Sequence, residues 1–378
     1  MVLPALGSSV KTIYDTRLPG AATVRSSLLT ESNRIPARAR YSQRPRPRFI
    51  AILRGEPPCN IIALTTRMIA TLNRMNSFLL GATVALLLTA SVSAQDGKPR
   101  GIPKPVTVPI SIRLRDPAPV EMRIIDFLLR EDGDVQQEVS RRTPVESPMT
   151  LAILFQDDLV SSAAVDMKNM ANFIRNQPGG TRVMVAYIRQ GALDVRKKFT
   201  NELDKAAESV RAPQSLASSS AYNPYIEIIE GLKRFDSQPM GRRAMIVISH
   251  GIDVSRGADS SSPTQSIDLQ RAINEAQRRA VAIYSIFVPP ASPTLQSLNL
   301  NGQSSLQRLS AETGGQAFFQ GNGAPVSFDP FLKEIDLLMG RQLALTYRST
   351  HPNKGFHKLD IKPLEKDVEI RHPAGYTR

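Results

Sequence analysis

Two kinds of hydrophobic pattern alternate through the second half of the chain. Residues 150–156 (TLAILFQ), 183–188, 244–249 (AMIVIS) and 281–288 are short, almost wholly apolar runs, as expected for strands buried on both faces. Apolar residues at helical spacing lie between them. Met170, Phe173 and Ile174 mark a helix over 163–176, stopped by Pro178-Gly179-Gly180. Further helices are expected over 202–210, 224–235, 267–280 and 328–339, and around Leu306 and Leu309 up to Gly314-Gly315. Asn223 followed by Pro224 suits the helix starting there, as cap and first-turn residue. On the helix over 267–280, Ile267, Ile273 and Ala276 are expected to face inward. Residues 193–199 read as an edge strand and 317–319 as a short last one. Strands alternating with helices predict an α/β fold: a doubly wound, mainly parallel sheet with helices on both faces.

The flanks change period. Residues 106–114 (VTVPISIRL) alternate, with Pro109 favouring an edge position. The apolar stretches 121–130 and 135–139 flank Asp132-Gly133, which reads as a β-hairpin. After Gly340, residues 342–349, 356–362 and 368–371 again alternate, predicting an antiparallel β appendage. Both β segments flank the same core, so pairing between them is open. The organisation read from this is an N-terminal linker and β-hairpin unit (95–145), an α/β domain (146–340) and a C-terminal β appendage (341–378).

The front of the chain is different. Residues 34–48 are rich in Arg and Pro with no apolar period. The apolar run 78–90 follows Arg67 and Arg74 and ends at Val92-Ser93-Ala94. It is short for a membrane span, and its small-residue ending is that of a secretory signal peptide. Residues 75–94 are therefore expected to be cleaved between Ala94 and Gln95, with export to the periplasm or cell exterior. Translation would then start at Met75 or Met68, and 1–74 would be a spurious or disordered upstream extension; a membrane anchor with a basic tail is the other reading. This bears on charge. The net charge of +14 suggests nucleic acid, but residues 1–94 hold 12 Lys/Arg against 3 Asp/Glu. Most of the excess leaves with that segment, and no aromatic residues interleave with Arg, so no nucleic-acid partner is expected. Contact with a membrane is expected only through the export signal. Cys59, the sole cysteine, also lies upstream, so the remaining chain relies on its core without disulfides.

Chemistry gathers where two buried strands end. The run 150–156 leads into Asp157, Asp158, Ser161 and Ser162; the run 244–249 leads into His250, Gly251 and Asp253. Parallel neighbours would bring these ends to one rim, the usual place for a ligand in such a sheet. Each residue also has a plainer reading. The acids can sit at a helix N-terminus without any metal, His250 can simply hydrogen-bond at a strand end, and Ser218–Ser220 can be a flexible connection. Met167 and Met170 read as core.

Six stretches in order carry a resemblance: 126–138 (DFLLREDGDVQQE), 155–159 (FQDDL), 198–203 (KFTNEL), 247–253 (VISHGID), 306–318 (LQRLSAETGGQAF) and 371–376 (RHPAGY), the last preceded by Gly355-Phe356-His357-Lys358. From about residue 106 onward the chain resembles the exported von Willebrand factor type A (vWA)-related proteins common in Acidobacteria. The resemblance implies a vWA fold and a non-enzymatic protein-binding role. It also implies a metal-ion-dependent adhesion site holding magnesium through Asp-x-Ser-x-Ser in a first loop, a Thr in a second and an Asp in a third. Asp157 and Ser161 match the first loop, but Leu159 replaces its middle Ser; Ser219 or Ser220 stands for the Thr; His250 takes the place of the Asp, with Asp253 three residues on. Imidazole is a poor choice for magnesium. The expectation is a degenerate binding edge of Asp157, Asp158, Ser161, Ser220, His250 and Asp253, with no cofactor or a weakly bound divalent cation. Its partner is an unidentified protein. The alternatives are a metal-dependent adhesion module using Asp157, Ser161, Ser220 and Asp253, and, last, a metallohydrolase using Asp157, Asp158 and His250. The latter lacks a second nearby His and an evident nucleophile–base pair.

Overall fold

A computed structural model describes residues 104–114, 125–189, 191–214 and 223–378. The expected upstream extension and signal peptide, with Ala94 and Gln95, and the loop holding Ser218–Ser220 lie outside the described residues.

The centre is a six-stranded sheet in the order β10-β9-β8-β5-β6-β7. Its strands are β5 (Thr150–Gln156), β6 (Arg182–Arg189), β7 (Ala192–Thr200), β8 (Arg243–Ser249), β9 (Ala282–Phe287) and β10 (Ala317–Phe318). All neighbours are parallel except β6 and β7. Every residue of β5, β8 and β9 is buried, which explains why their sequences do not alternate. Helices α1 (Met167–Arg175), α2 (Leu203–Glu208), α3 (Pro224–Lys233), α4 (Ile267–Arg278), α5 (Pro293–Gln296), α6 (Asn299–Glu312) and α7 (Asp329–Gly340) connect them. One core holds Met167, Met170 and Phe173 of α1 with Leu332 and Ile335 of α7. The other holds Ile228 and Leu232 of α3 with Ile273 of α4 and Leu306 of α6. The sheet is therefore covered on both faces. This is the α/β architecture the sequence predicts.

Local chemistry sets the helix starts. The Asn223 side chain accepts the Tyr225 N–H at 3.0 Å, and Pro224 opens α3. The Ser266 hydroxyl accepts the Leu269 N–H at 3.2 Å and caps α4. One expectation is corrected here: Ile267 is 57% exposed, because the cap places it on the outer side of the first turn, while Leu269, Ala272 and Ile273 face inward. The segment before α1 is also a separate 3-10 turn, Ser161–Asp166.

The flanking segments form two further four-stranded sheets, β13-β1-β11-β4 and β14-β12-β2-β3. Here β1 is Lys104–Leu114, β2 Phe127–Glu131, β3 Asp134–Val135 and β4 Gln137–Arg142, while β11 is Gln342–Ser349, β12 Phe356–Pro363, β13 Val368–Arg371 and β14 Gly375–Thr377. They close over a shared core that includes Ile110, Ile112, Leu129, Leu345, Tyr347, Ile361 and Tyr376. The hairpin turns as predicted, with Asp132 and Gly133 both at positive φ (51° and 95°). The strand after it then leaves: β4 pairs with β11 in the other sheet. Pro109 is not on an edge strand, since β1 lies between β13 and β11. It is tolerated because β13 pairs only with Ser111–Leu114, so Pro109 has a partner on one side alone.

Candidate functional site

From β5 the chain runs to β6 on one side and, after β7, returns to β8 on the other. The carboxyl ends of β5 and β8 therefore flank the point where chain order reverses, and this is where α/β sheets hold ligands. In this protein the point is filled by the chain's own polar groups.

Gln156, the last residue of β5, is fully buried. Its Oε1 accepts from the Ser249 hydroxyl (2.5 Å) and the His250 N–H (3.2 Å). Its amide nitrogen donates to Asp158 Oδ1 at 2.8 Å and abuts His250 Nε2. His250 is fully buried, and its Nδ1 accepts the Ile252 N–H at 3.0 Å. Its Nε2 lies 3.6 Å from Asp158 Oδ2. The loop after β9 crosses above: Leu159 bridges Pro290, and the Ala291 N–H donates to the Asp158 carbonyl at 2.8 Å.

Asp157 turns the other way. Arg211 grips its carboxylate at two points, Nη1 to Oδ1 at 2.7 Å and Nη2 to Oδ2 at 2.9 Å. The Gln214 N–H donates to Oδ1 at 2.9 Å, and Arg189 Nε lies 3.1 Å from Oδ2. Arg211 also stacks 3.8 Å over the Tyr187 ring and donates its own N–H to the Tyr187 hydroxyl at 2.6 Å. The Asp157 hydrogen bonds raise the Arg211 guanidinium further still, and burial pushes the Tyr187 phenol up to about 12. Such a two-point guanidinium–carboxylate pair is directional and strong.

The remaining expected residues have other tasks or positions. Asp253 is buried; its Oδ1 accepts from the Ser255 N–H and hydroxyl (3.0 and 2.6 Å) and its Oδ2 from the Ser266 hydroxyl at 2.8 Å. Through Ser266 it fixes the start of α4. Ser161 is exposed at the opening of the 3-10 turn. Neither acid caps that turn: its preceding residue is Val160, and no side chain caps it. Ser220 lies outside the described residues. The structure thus brings Asp158 to His250 at the rim, turns Asp157 toward the β6 side, and leaves Ser161 facing solvent.

Sequence reasoning missed Gln156, Arg189, Arg211 and Glu227. Gln156 was visible as the one polar side chain closing an apolar strand. Arg211 carries no such signal, being one of many arginines and far from Asp157 in sequence. Glu227, on α3, is 1% exposed, and burial raises its carboxyl pKa, helped by the nearby Glu230 and Asp158 charges.

No protein-family model matches the chain, and no curated protein sequence matches it. Among solved structures, it is similar to an aerotolerance-related membrane protein from Bacteroides fragilis NCTC 9343 at 11% identity, over 50% of this chain and 98% of that one, with TM-score 0.36. It is similar to a von Willebrand factor type A protein from Catenulispora acidiphila at 10% identity, over 71% of each chain, with TM-score 0.37. It is also similar to the conserved hypothetical protein BatB from Bacteroides thetaiotaomicron at 11% identity, over 50% and 95%, with TM-score 0.33. Among the described residues, no helix is long and apolar enough to cross a membrane.

Proposed function

We propose that this chain is an exported vWA-type binding module that meets a protein partner at the carboxyl-side rim of its central sheet, without a tightly held metal and without catalysis. One observation carries the reading: both Asp157 oxygens are already taken by Arg211. A magnesium ion needs oxygen ligands in near-octahedral array. The candidate donors do not fit one, because Asp157 is neutralised by guanidinium and Leu159, in the place of a ligand serine, is apolar and fully buried. Guanidinium in place of the ion keeps the loop in shape while removing the coordination position a partner carboxylate would take. The absence of catalysis is supported by His250, whose ring is buried and bonded at Nδ1 to the Ile252 N–H. Export is supported by the sequence over 75–94 alone.

Titration calorimetry with magnesium, manganese and calcium tests the reading. No heat attributable to the rim is expected, and Asp157→Asn should leave every isotherm unchanged. Capture of a host protein in the presence of a chelator, lost in Ser161→Trp, is the positive outcome. Capture that needs magnesium and disappears with Asp157→Asn would sink the metal-free reading. Amino-terminal sequencing of the protein from its host should begin at Gln95.

A further inference from the structure

A second polar cluster lies in the β-sandwich. Glu131 ends β2 with its side chain fully buried. Its Oε1 accepts from the Ser349 hydroxyl (2.8 Å) and the Tyr376 hydroxyl (2.9 Å). Its Oε2, equally buried, makes no hydrogen bond among the described residues. A buried carboxylate left so is costly unless a cation offsets it. Burial, then the charge of Glu131, pushes the neighbouring Tyr347 phenol up.

Two imidazoles turn toward this carboxylate. His351 Nδ1 lies 3.4 Å from Glu131 Oε1 and makes no hydrogen bond among the described residues. Its other nitrogen, Nε2, faces Asp134 Oδ2 at 3.3 Å. His357 Nε2 lies 2.9 Å from the Asn353 carbonyl oxygen, which can only accept. Its Nδ1 makes a hydrogen bond with Asp132 Oδ2 at 2.8 Å and lies 3.5 Å from Glu131 Oε1. One ligand atom from each of Glu131, Asp132 and His351 lies within 4.8 Å of the other two.

Each histidine thus has its outer nitrogen on a carbonyl or carboxylate and its inner nitrogen facing the carboxylates. That is how outer groups orient metal-bound imidazoles. Two ligands on one tetrahedral zinc stand roughly 3.3–3.5 Å apart, and the His351–Glu131 separation is 3.4 Å. Mixed imidazole and carboxylate donors select zinc-like ions over magnesium. We infer that Glu131, Asp132 and His351 form a binding site for a divalent transition metal of the zinc type, with His357 as a positioning residue that orients Asp132. The ion joins the β2–β3 hairpin to the segment between β11 and β12. It serves as a cross-link in a chain whose only cysteine is Cys59. The site is separate from the rim of the central sheet and does not rest on the function proposed there.

Zinc titrated into the metal-stripped full chain tests this. One equivalent is expected to bind, cobalt in its place should give the visible absorption of a low-coordinate site, and zinc should raise the thermal midpoint. His351→Ala should abolish the stoichiometric uptake and the midpoint shift. Asp134→Asn, at an exposed position on the outer nitrogen, should weaken binding about tenfold or more. Near-ultraviolet circular dichroism reports whether each variant stays folded, and Asp134→Asn decides the matter if His351→Ala does not. Folded wild-type protein that takes up no zinc overturns the inference. So does uptake that is unchanged in the folded variants, which would place the bound ion elsewhere.

Discussion

Single side chains at the rim act through charge. Arg211 and Asp157 form a pair whose removal from one side leaves a buried carboxylate whose remaining partners among the described residues are Arg189 and the Gln214 N–H. Arg211→Ala should therefore cost about 1–3 kcal/mol, less than a fully orphaned charge, measured by denaturant unfolding. Arg211→Lys should recover only part, since it lacks the two-point bond and the stack on Tyr187. Glu227 works in the opposite sense. Burial holds its folded pKa above the ordinary 4.5, so its stabilising contribution is complete below that pH and is lost as pH rises through the folded value. Its Oε2 also makes no hydrogen bond among the described residues. Glu227→Gln should stabilise the protein at pH 7 by on the order of 1 kcal/mol, with the gain vanishing below about pH 4.5 in a thermal-melt series across pH. Neither residue stood out in the sequence. Arg211 pairs across a long loop, and a local pattern carries no information on such a contact; Glu227 sits among helix-face residues where a glutamate reads as solvated.

Two contacts between elements bear on stability. Gly302 of α6 packs against the strand end at His250, where an added methyl would overlap the His250 carbonyl oxygen and crowd Ile252. Gly302→Ala should push α6 off the sheet, lowering stability by about 1–3 kcal/mol and disturbing the rim with it. The second contact is a single guanidinium. Arg242 is buried at the foot of β8 and donates to the carbonyl oxygens of Gln342 (2.7 Å), Ser147 (3.2 Å) and Met339. It thus ties the last turn of α7 to the start of β11 and to the segment entering β5. Burial draws its pKa down to about 10, and the carbonyls around it offset that cost. Arg242→Met leaves those carbonyls without their donor, and a loss of about 3 kcal/mol or more is expected in equilibrium unfolding. The helices and buried strands themselves were legible, because period and capping residues are local. The hairpin also carried a signal that went unused. Alternation in β2 puts Glu131 on the same inward face as Leu129, yet beside Asp132-Gly133 it looks like a turn acid.

At the scale of the molecule, the β-sandwich is shared between the two flanks of the α/β domain. Lys104 pairs with Ser349 and Phe127 with Pro363. Period-two patterning revealed the strands, but partner and register depend on contacts that span the whole chain, so the distribution of strands into two sheets was not legible. The sharing makes neither flank a separate folding unit. A chain ending at Gly340 loses β11 to β14, and with them half of each flanking sheet. It should expose Ile110, Ile112 and Leu129, bind a hydrophobic dye, and aggregate more readily than the full chain.

Lys104 and Ser349 meeting as neighbours also sets a timetable. A polypeptide made from its amino end releases β1, and the edge of β2 away from β3, long before β11, β12 and β13 exist, so these edges must wait unpaired until those strands emerge. Holding factors that shield nascent chains should therefore act on this protein late, and a synonymous slow codon run placed before residue 342 should raise the fraction lost to proteolysis without altering one contact in the finished fold.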